Sequence, residues 1–314
     1  MKLALFDDHR LGAVVGGDDD STAGLVDITD ALPWPHDPDP LTAGWWRRLC
    51  RDFDQVRDAL RDAAAAGSPV PLDEVRLLAP ALNPSKIVAA ASNYAAHVEE
   101  MHGVQQRTLG RVESWMMHFD VFLKSPSAMA GPCDEIVLPA AELEAGHEIH
   151  HESELVAIVG RGGKDIPVAG ALDHVLGYTI GLDITVRSPA DRSRRKSHDT
   201  FAPLGPWITT ADEAGDPADL DIALQVNGTD RQRVNTRDLL TGVGEIVSYA
   251  SHMMTLLPGD VLFTGAPPGV GPIAPGDVLD ARISRLGRLR LPVRDDGLPG
   301  DGCPTDRAVA TGTA

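Results

Sequence analysis

The chain has 314 residues, 43% hydrophobic but only 4% aromatic, enough for one large domain or a small one joined to a large one, with a core of Val, Leu, Ile and Ala. Lys plus Arg number 28 against 46 Asp plus Glu, and the net charge of −18 argues against nonspecific binding to nucleic acid or docking on an anionic membrane. No apolar run reaches the roughly 18 residues a bilayer span needs, and the start, charged by Asp7, does not read as a signal peptide.

In chain order, residues 2–6 and 11–15 read as two short strands of a hairpin around Asp7-Asp8-His9-Arg10. Gly16 to Asp20 reads as a flexible acidic turn, and the prolines from Pro33 to Pro40 mark a loop. Trp45, Leu49, Phe53, Val56, Leu60 and Ala64 recur at helical spacing, and Gly67 and Pro69 stop that helix. A connector over 71–81 puts a boundary near residue 80, giving a small N-terminal α+β domain over 1–80. From Lys86 short Val/Ile/Leu runs alternate with Gly and Pro: 86–91, 136–138, 154–159, 175–180, 222–226, 261–264, 278–283 and 289–293. Such regular short strands imply a β-rich barrel or sandwich over 81–293. Ile246, Val247, Ala250, Met253, Met254 and Leu257 form the apolar stripe of one helix, and residues 294–314 read as a disordered tail. Cys50, Cys133 and Cys303 are too dispersed for a disulfide framework or a zinc signature, so the expectation is a reduced, cytoplasmic protein.

Glu152 and Glu154 alternate across one residue, and on a strand they point to the same face. Two adjacent carboxylates repel each other unless a cation sits between them. Asp183, after the apolar run 175–180, is a candidate third ligand, and three oxygen donors suit a hard ion such as Mg²⁺ or Mn²⁺. The competing reading is the solvated face of an edge strand. His97 and Glu100 lie three apart, so on a helix they touch, and the carboxylate orients the imidazole as a general base. The alternative is a casual surface pair. The basic run Arg192, Arg194, Arg195 and Lys196 reads as a solvated face by itself, and as a local cluster it leaves room for an anionic substrate. His150 and His151 flank the acidic pair and read as surface residues or as support for the ligands. Thr264 to Gly271 lacks the Gly-Lys-Ser/Thr end of a phosphate loop and reads as a tight turn at a site rim.

Blocks spread over 86–293 resemble the fumarylacetoacetate hydrolase family, including its 2-hydroxyhepta-2,4-diene-1,7-dioate isomerase and 5-oxopent-3-ene-1,2,5-tricarboxylate decarboxylase-like branch. They are Ser92-Asn-Tyr-Ala-Ala-His97-Val-Glu-Glu100-Met101, Phe122-Leu-Lys124-Ser-Pro-Ser127, Glu152-Ser-Glu154-Leu155 and Gly177-Tyr-Thr-Ile-Gly-Leu-Asp183. Lys196-Ser-His-Asp-Thr200, Leu204-Gly-Pro-Trp207, Val226-Asn-Gly228 and Thr264-Gly-Ala-Pro-Pro-Gly-Val-Gly271 follow in the same order.

The resemblance implies an α+β fold with a mixed β-sandwich roll, a homodimer, and a divalent metal on Glu152, Glu154 and Asp183. The metal would be Mg²⁺, with Mn²⁺ or Ca²⁺ as alternatives. It implies His97 and Glu100 as a catalytic dyad and Lys196 as the cation that stabilises an oxyanion, with 103–121 either a lid or a surface excursion. Arg187 is expected to pair with a substrate carboxylate or a metal carboxylate, Lys124 to anchor a carboxylate or brace the fold, and Thr264 to hydrogen-bond substrate. The substrate would be a small anionic 2-oxo or 1,3-dicarbonyl acid. The chemistry would be hydrolysis of its carbon–carbon bond through a metal-chelated enolate, with decarboxylation or keto–enol isomerisation of a 2-oxo dioic acid of aromatic catabolism, or a non-catalytic role, as alternatives. Two departures stand out: Ala190 replaces a glutamine and Ala266 the second threonine of a Thr-Gly-Thr-Pro turn.

Overall fold

A computed structural model describes residues 1–17, 23–112 and 114–297. The strands that position the site are β1 (Lys2–Phe6), β2 (Arg10–Gly16), β3 (Ala23–Asp27), β4 (Ile87–Ala91), β5 (Asp120–Lys124), β6 (Glu148–His151), β7 (Ser153–Val159), β8 (Val175–Leu182), β9 (Thr185–Arg187) and β10 (Ala202–Thr210). They are followed by β11 (Asp221–Val226), β12 (Thr229–Asn235), β13 (Val261–Phe263), β14 (Val278–Ile283) and β15 (Gly287–Asp295). The main helices are α1 (Gly44–Ala66), α2 (Ala95–Leu109), α3 (Arg192–Lys196) and α4 (Val243–Met253).

The expected hairpin forms, with β1 antiparallel to β2 and Asp7 and His9 at positive φ in the turn. Helix α1 buries Trp45, Leu49, Phe53, Val56 and Leu60, the face its spacing predicts. One edge of β1 pairs with β10, so β3, β2 and β1 extend a twelve-stranded sheet that continues through β10, β8, β7, β13, β4 and β5. The pairing is mixed: β13 and β4 are parallel, while β7 is antiparallel to both β8 and β13. Every residue of β7, β8 and β10 is buried, so these strands read as continuous apolar runs rather than alternating ones. A second, five-stranded sheet includes β12, β11, β14 and β15 and packs on the middle of the first, β11 against β7 and β14 and β15 against β8. Burying a face of each sheet against the other makes an α+β sandwich, and no closed barrel occurs among the described residues.

One boundary moves. Arg294 and Asp295 still belong to β15, paired in parallel with Val137 and Leu138, because their backbone groups complete the edge of that sheet. The remainder of the expected tail, 298–314, lies outside the described residues, as do Asp18 to Asp20 of the expected acidic turn.

Candidate active site

The acidic cluster forms where the chain steps between sheets. Strand β6 pairs with β9 in a three-stranded sheet, β7 pairs with β8 in the large one, and Glu152 is the single residue between β6 and β7. The register Ser153↔Leu182 and Glu154↔Gly181 places the end of β8 beside the start of β7. Asp183 then donates its backbone N–H to the Glu152 carbonyl at 2.8 Å. Glu152, Glu154 and Asp183 are all buried, and one carboxylate oxygen from each lies within 4.8 Å of the others. Burial removes the edge-strand alternative.

Three cations neutralise two of these acids. Lys196 Nζ donates to Glu152 Oε2 at 2.9 Å, to Asp183 Oδ2 at 2.6 Å and to Thr185 Oγ1 at 2.6 Å. Arg187 donates to the other Glu152 oxygen, and Lys124 to Asp183. Lys124 also donates to the Phe201 carbonyl at 2.7 Å. Glu154 receives only the Gly265 N–H, at 2.5 Å, among the described residues. Burial works to raise the Glu152 carboxyl, but Lys196 and Arg187 outweigh it and hold the group well below its ordinary range. Glu154 goes the other way, pushed well up by burial and by the charges of Asp183 and Glu152.

The facing wall is α2. Ser92, at φ 56, and extended Tyr94 turn the chain from β4 into the helix. His97 is buried, lines the pocket, and has Nδ1 3.5 Å from Glu100 Oε2. Burial raises Glu100, yet the His97 contact and the Gly269 N–H more than offset it, and its pKa is lowered. The glycine-rich turn is the rim expected from sequence. Gly265, at φ +108, would press a Cβ to 2.7 Å from Asn93, and Gly269, at φ +92, to 2.0 Å from the Arg231 carbonyl. Only glycine fits both conformation and space, and these two positions aim N–H groups at Glu154 and Glu100. Lower on α2, Arg107 reaches Glu148 at 2.7 Å, and Glu148 meets His150 Nε2 at 2.7 Å. The expected lid segment divides: α2 continues to Leu109, β5 begins at Asp120, and Glu113 lies outside the described residues.

For Arg187 and Lys124 the sequence left two roles open, and in this structure Arg187 pairs with Glu152 and Lys124 with Asp183. Other expected assignments shift. Thr264 donates its hydroxyl to the Leu155 carbonyl at 2.9 Å and braces β13 against β7 instead of facing the pocket. Lys196 has all three N–H bonds engaged, as above. The basic run is not a uniformly solvated face: Asp191 caps α3 through the N–H groups of Ser193 and Arg194, and the turn carries Arg195 and Lys196 into the interior. Arg192 and Arg195 line the pocket, a position sequence spacing did not disclose. His150 and His151 are buried rather than superficial, and burial lowers each to about 4. Ala266 lines the pocket and Ala190 does not, so only the first departure touches the reacting space.

Known proteins resemble this chain over most of its length. The sequence pattern of the fumarylacetoacetate (FAA) hydrolase C-terminal domain matches residues 86–294. A maleylpyruvate hydrolase of Aquipseudomonas alcaligenes is 39% identical over 305 residues, 94% of this chain and 99% of that protein. A crystal structure of maleylpyruvate hydrolase from Sphingobium sp. SYK-6 in complex with manganese(II) and pyruvate superposes with a TM-score of 0.79 at 39% identity, covering 94% of this chain and 99% of the other. A 2-hydroxyhepta-2,4-diene-1,7-dioate isomerase from Mycobacterium marinum gives a TM-score of 0.70 at 33% identity, covering 95% and 100%. The chain is an enzyme of the fumarylacetoacetate hydrolase family.

Proposed function

We propose that this enzyme hydrolyses a carbon–carbon bond of a small 1,3-dicarbonyl acid of the acylpyruvate kind, with a divalent cation, Mg²⁺ or else Mn²⁺ or Ca²⁺, held by Glu152, Glu154 and Asp183. The observation that carries the reading is three buried carboxylates converging within 4.8 Å while His97, backed by Glu100, lines the same pocket. The donor set fits a hard cation, and Glu154 is the acid no side-chain cation touches among the described residues. Bound there, the cation would supply positive charge that polarises a carbonyl oxygen.

The protein's own residues supply the rest. Glu100, fixed by Gly269, holds the Nδ1 side of His97, which leaves Nε2 to take a proton from water. Glu100 then stabilises the imidazolium. Water adds to the carbonyl remote from the carboxylate head of the substrate, the carbon–carbon bond breaks, and His97 returns its proton to the departing carbon. Lys196 acts by its charge. A hydrogen bond from it to an oxyanion requires Glu152, Asp183 or Thr185 to turn away first.

Turnover in ¹⁸O-water tests this: one labelled oxygen should appear in the new carboxylate product, and unlabelled product excludes hydrolysis. Ala266, a methyl where the family pattern has a hydroxyl, favours a second reading in which the same site decarboxylates or isomerises a 2-oxo dioic acid. That reaction releases CO₂ or exchanges a proton with solvent and leaves the label in water.

Cys50, a buried thiol outside any disulfide among the described residues, supports a cytoplasmic setting. Exposed Leu240, Tyr249, Met253 and Leu257 at and around α4 support a homodimer, which sedimentation checks directly.

A further inference from the structure

Arg187, Arg192, Arg195 and Lys196 line the pocket, all supplied by β9 and α3. Arg187 and Lys196 are committed to the acidic cluster. Arg195 is not. It is 6% exposed, its Nε is buried with no hydrogen-bond partner, and it makes no ion pair among the described residues. Burial first, and then the like charges of Arg187 and Arg192, lower its pKa to about 10. A buried cation without a hydrogen-bonded anion is unfavourable, so an anion entering the pocket would gain what the empty site lacks. Arg192 is three residues earlier on α3, lies 5.1 Å over the Phe122 ring, and lines the same pocket. Met101, Val104 and Phe122 give the pocket apolar lining suited to a short carbon chain.

We infer that Arg195, assisted by Arg192, is a second carboxylate subsite, distinct from the acidic cluster, and that the substrate is a dicarboxylic acid. Resting on the hydrolase reading for its head, the substrate would place its 2-oxo acid end at the cluster and its other carboxylate on the guanidinium. The planar fork of an arginine matches two carboxylate oxygens, a geometry an ammonium does not reproduce.

The test compares maleylpyruvate, a diacid, with acetylpyruvate, a monoacid, in the full-length protein and in Arg195→Met and Arg195→Lys. The unaltered enzyme should prefer the diacid, and Arg195→Met should lower the diacid-to-monoacid ratio of kcat/KM about 100-fold, mainly through KM. Arg195→Lys should restore only part of it. An unchanged ratio in Arg195→Met, or a preference of the unaltered enzyme for the monoacid, overturns the subsite. Calorimetric binding of maleate gives an independent readout. Maleate should bind more tightly than acetate to the unaltered protein and about 10-fold more weakly to Arg195→Lys, and equal binding overturns the proposal. If neither keto acid is cleaved, the hydrolase reading fails while maleate binding still decides the subsite. If Arg195→Met does not fold, the lysine variant and the maleate–acetate comparison decide it.

Discussion

On one wall of the pocket, Glu152, Glu154 and Asp183 border β7 and β8, strands buried along their whole length and paired through a continuous ladder. On the other, His97 and Glu100 ride α2, where only His97, Val104 and Gln105 of 15 residues are buried. The first wall is held by the core of the sandwich, the second by a few polar contacts: Glu100 to Gly269 and Arg107 to Glu148. Groups that must keep like charges close need a rigid frame, because separation by even an ångström would dissipate the field they create. A proton-transferring base tolerates, and for entry of substrate benefits from, a wall with fewer attachments.

Breaking the sheet wall should have the largest effect. Glu154→Gln removes a carboxylate ligand while keeping an acceptor for Gly265, so turnover that depends on the cation should vanish, about 10³-fold or more. The same substitution should stabilise the cation-free protein by about 1 kcal/mol, a rise of roughly 2 °C in Tm. A drop in Tm would show that Glu154 is not the strained member. Next comes the helix wall. His97→Gln should reduce kcat about 10²–10⁴-fold while leaving cation uptake intact, which separates proton transfer from binding. Loss of uptake in that variant would place His97 among the ligands instead.

A pH series sharpens the contrast. Because the folded state holds the Glu154 proton above the pH at which the unfolded chain releases it, raising pH favours unfolding. Cation-free protein should therefore lose stability as pH rises from about 4.5, the ordinary carboxylate value, through the raised pKa of Glu154. Glu154→Gln should flatten that slope in chemical denaturation. The smallest effect belongs to Arg107→Ala. Its pair with Glu148 is exposed, worth at most about 1 kcal/mol, so kcat/KM should change no more than about 5-fold with Tm nearly constant. A large fall in Tm would mean α2 is anchored through this contact.

The acidic wall was legible in sequence because a strand repeats every two residues and Glu152 and Glu154 keep that spacing across the strand break. The helix wall was legible from the three-residue spacing of His97 and Glu100, which α2 converts into contact. Strand β10 was not, since Pro203, Gly205 and Pro206 argue against a central strand, and only pairing with β1 and β8 on either side makes it one. Polar β12 was missed for a related reason: apart from buried Gln232 and half-buried Val234 and Asn235 it faces solvent, and its place is set by β11 rather than by apolar periodicity. The different surroundings of Arg187 and Arg195 are likewise invisible in one dimension: which of them meets Glu152 depends on how β9 and α3 pack. His150 and His151 show the same limit, reading as polar in the chain yet buried against Glu148 and Gln232.

The most direct measurement is calorimetric titration of the full-length protein with Mn²⁺ and Mg²⁺ in two buffers of different protonation enthalpy. The expected result is one ion per chain with net release of a proton from the Glu154 carboxyl, and no uptake in Glu154→Gln or Asp183→Asn. Absence of uptake by the unaltered protein, or uptake that survives both substitutions, would contradict a cation held by these three acids.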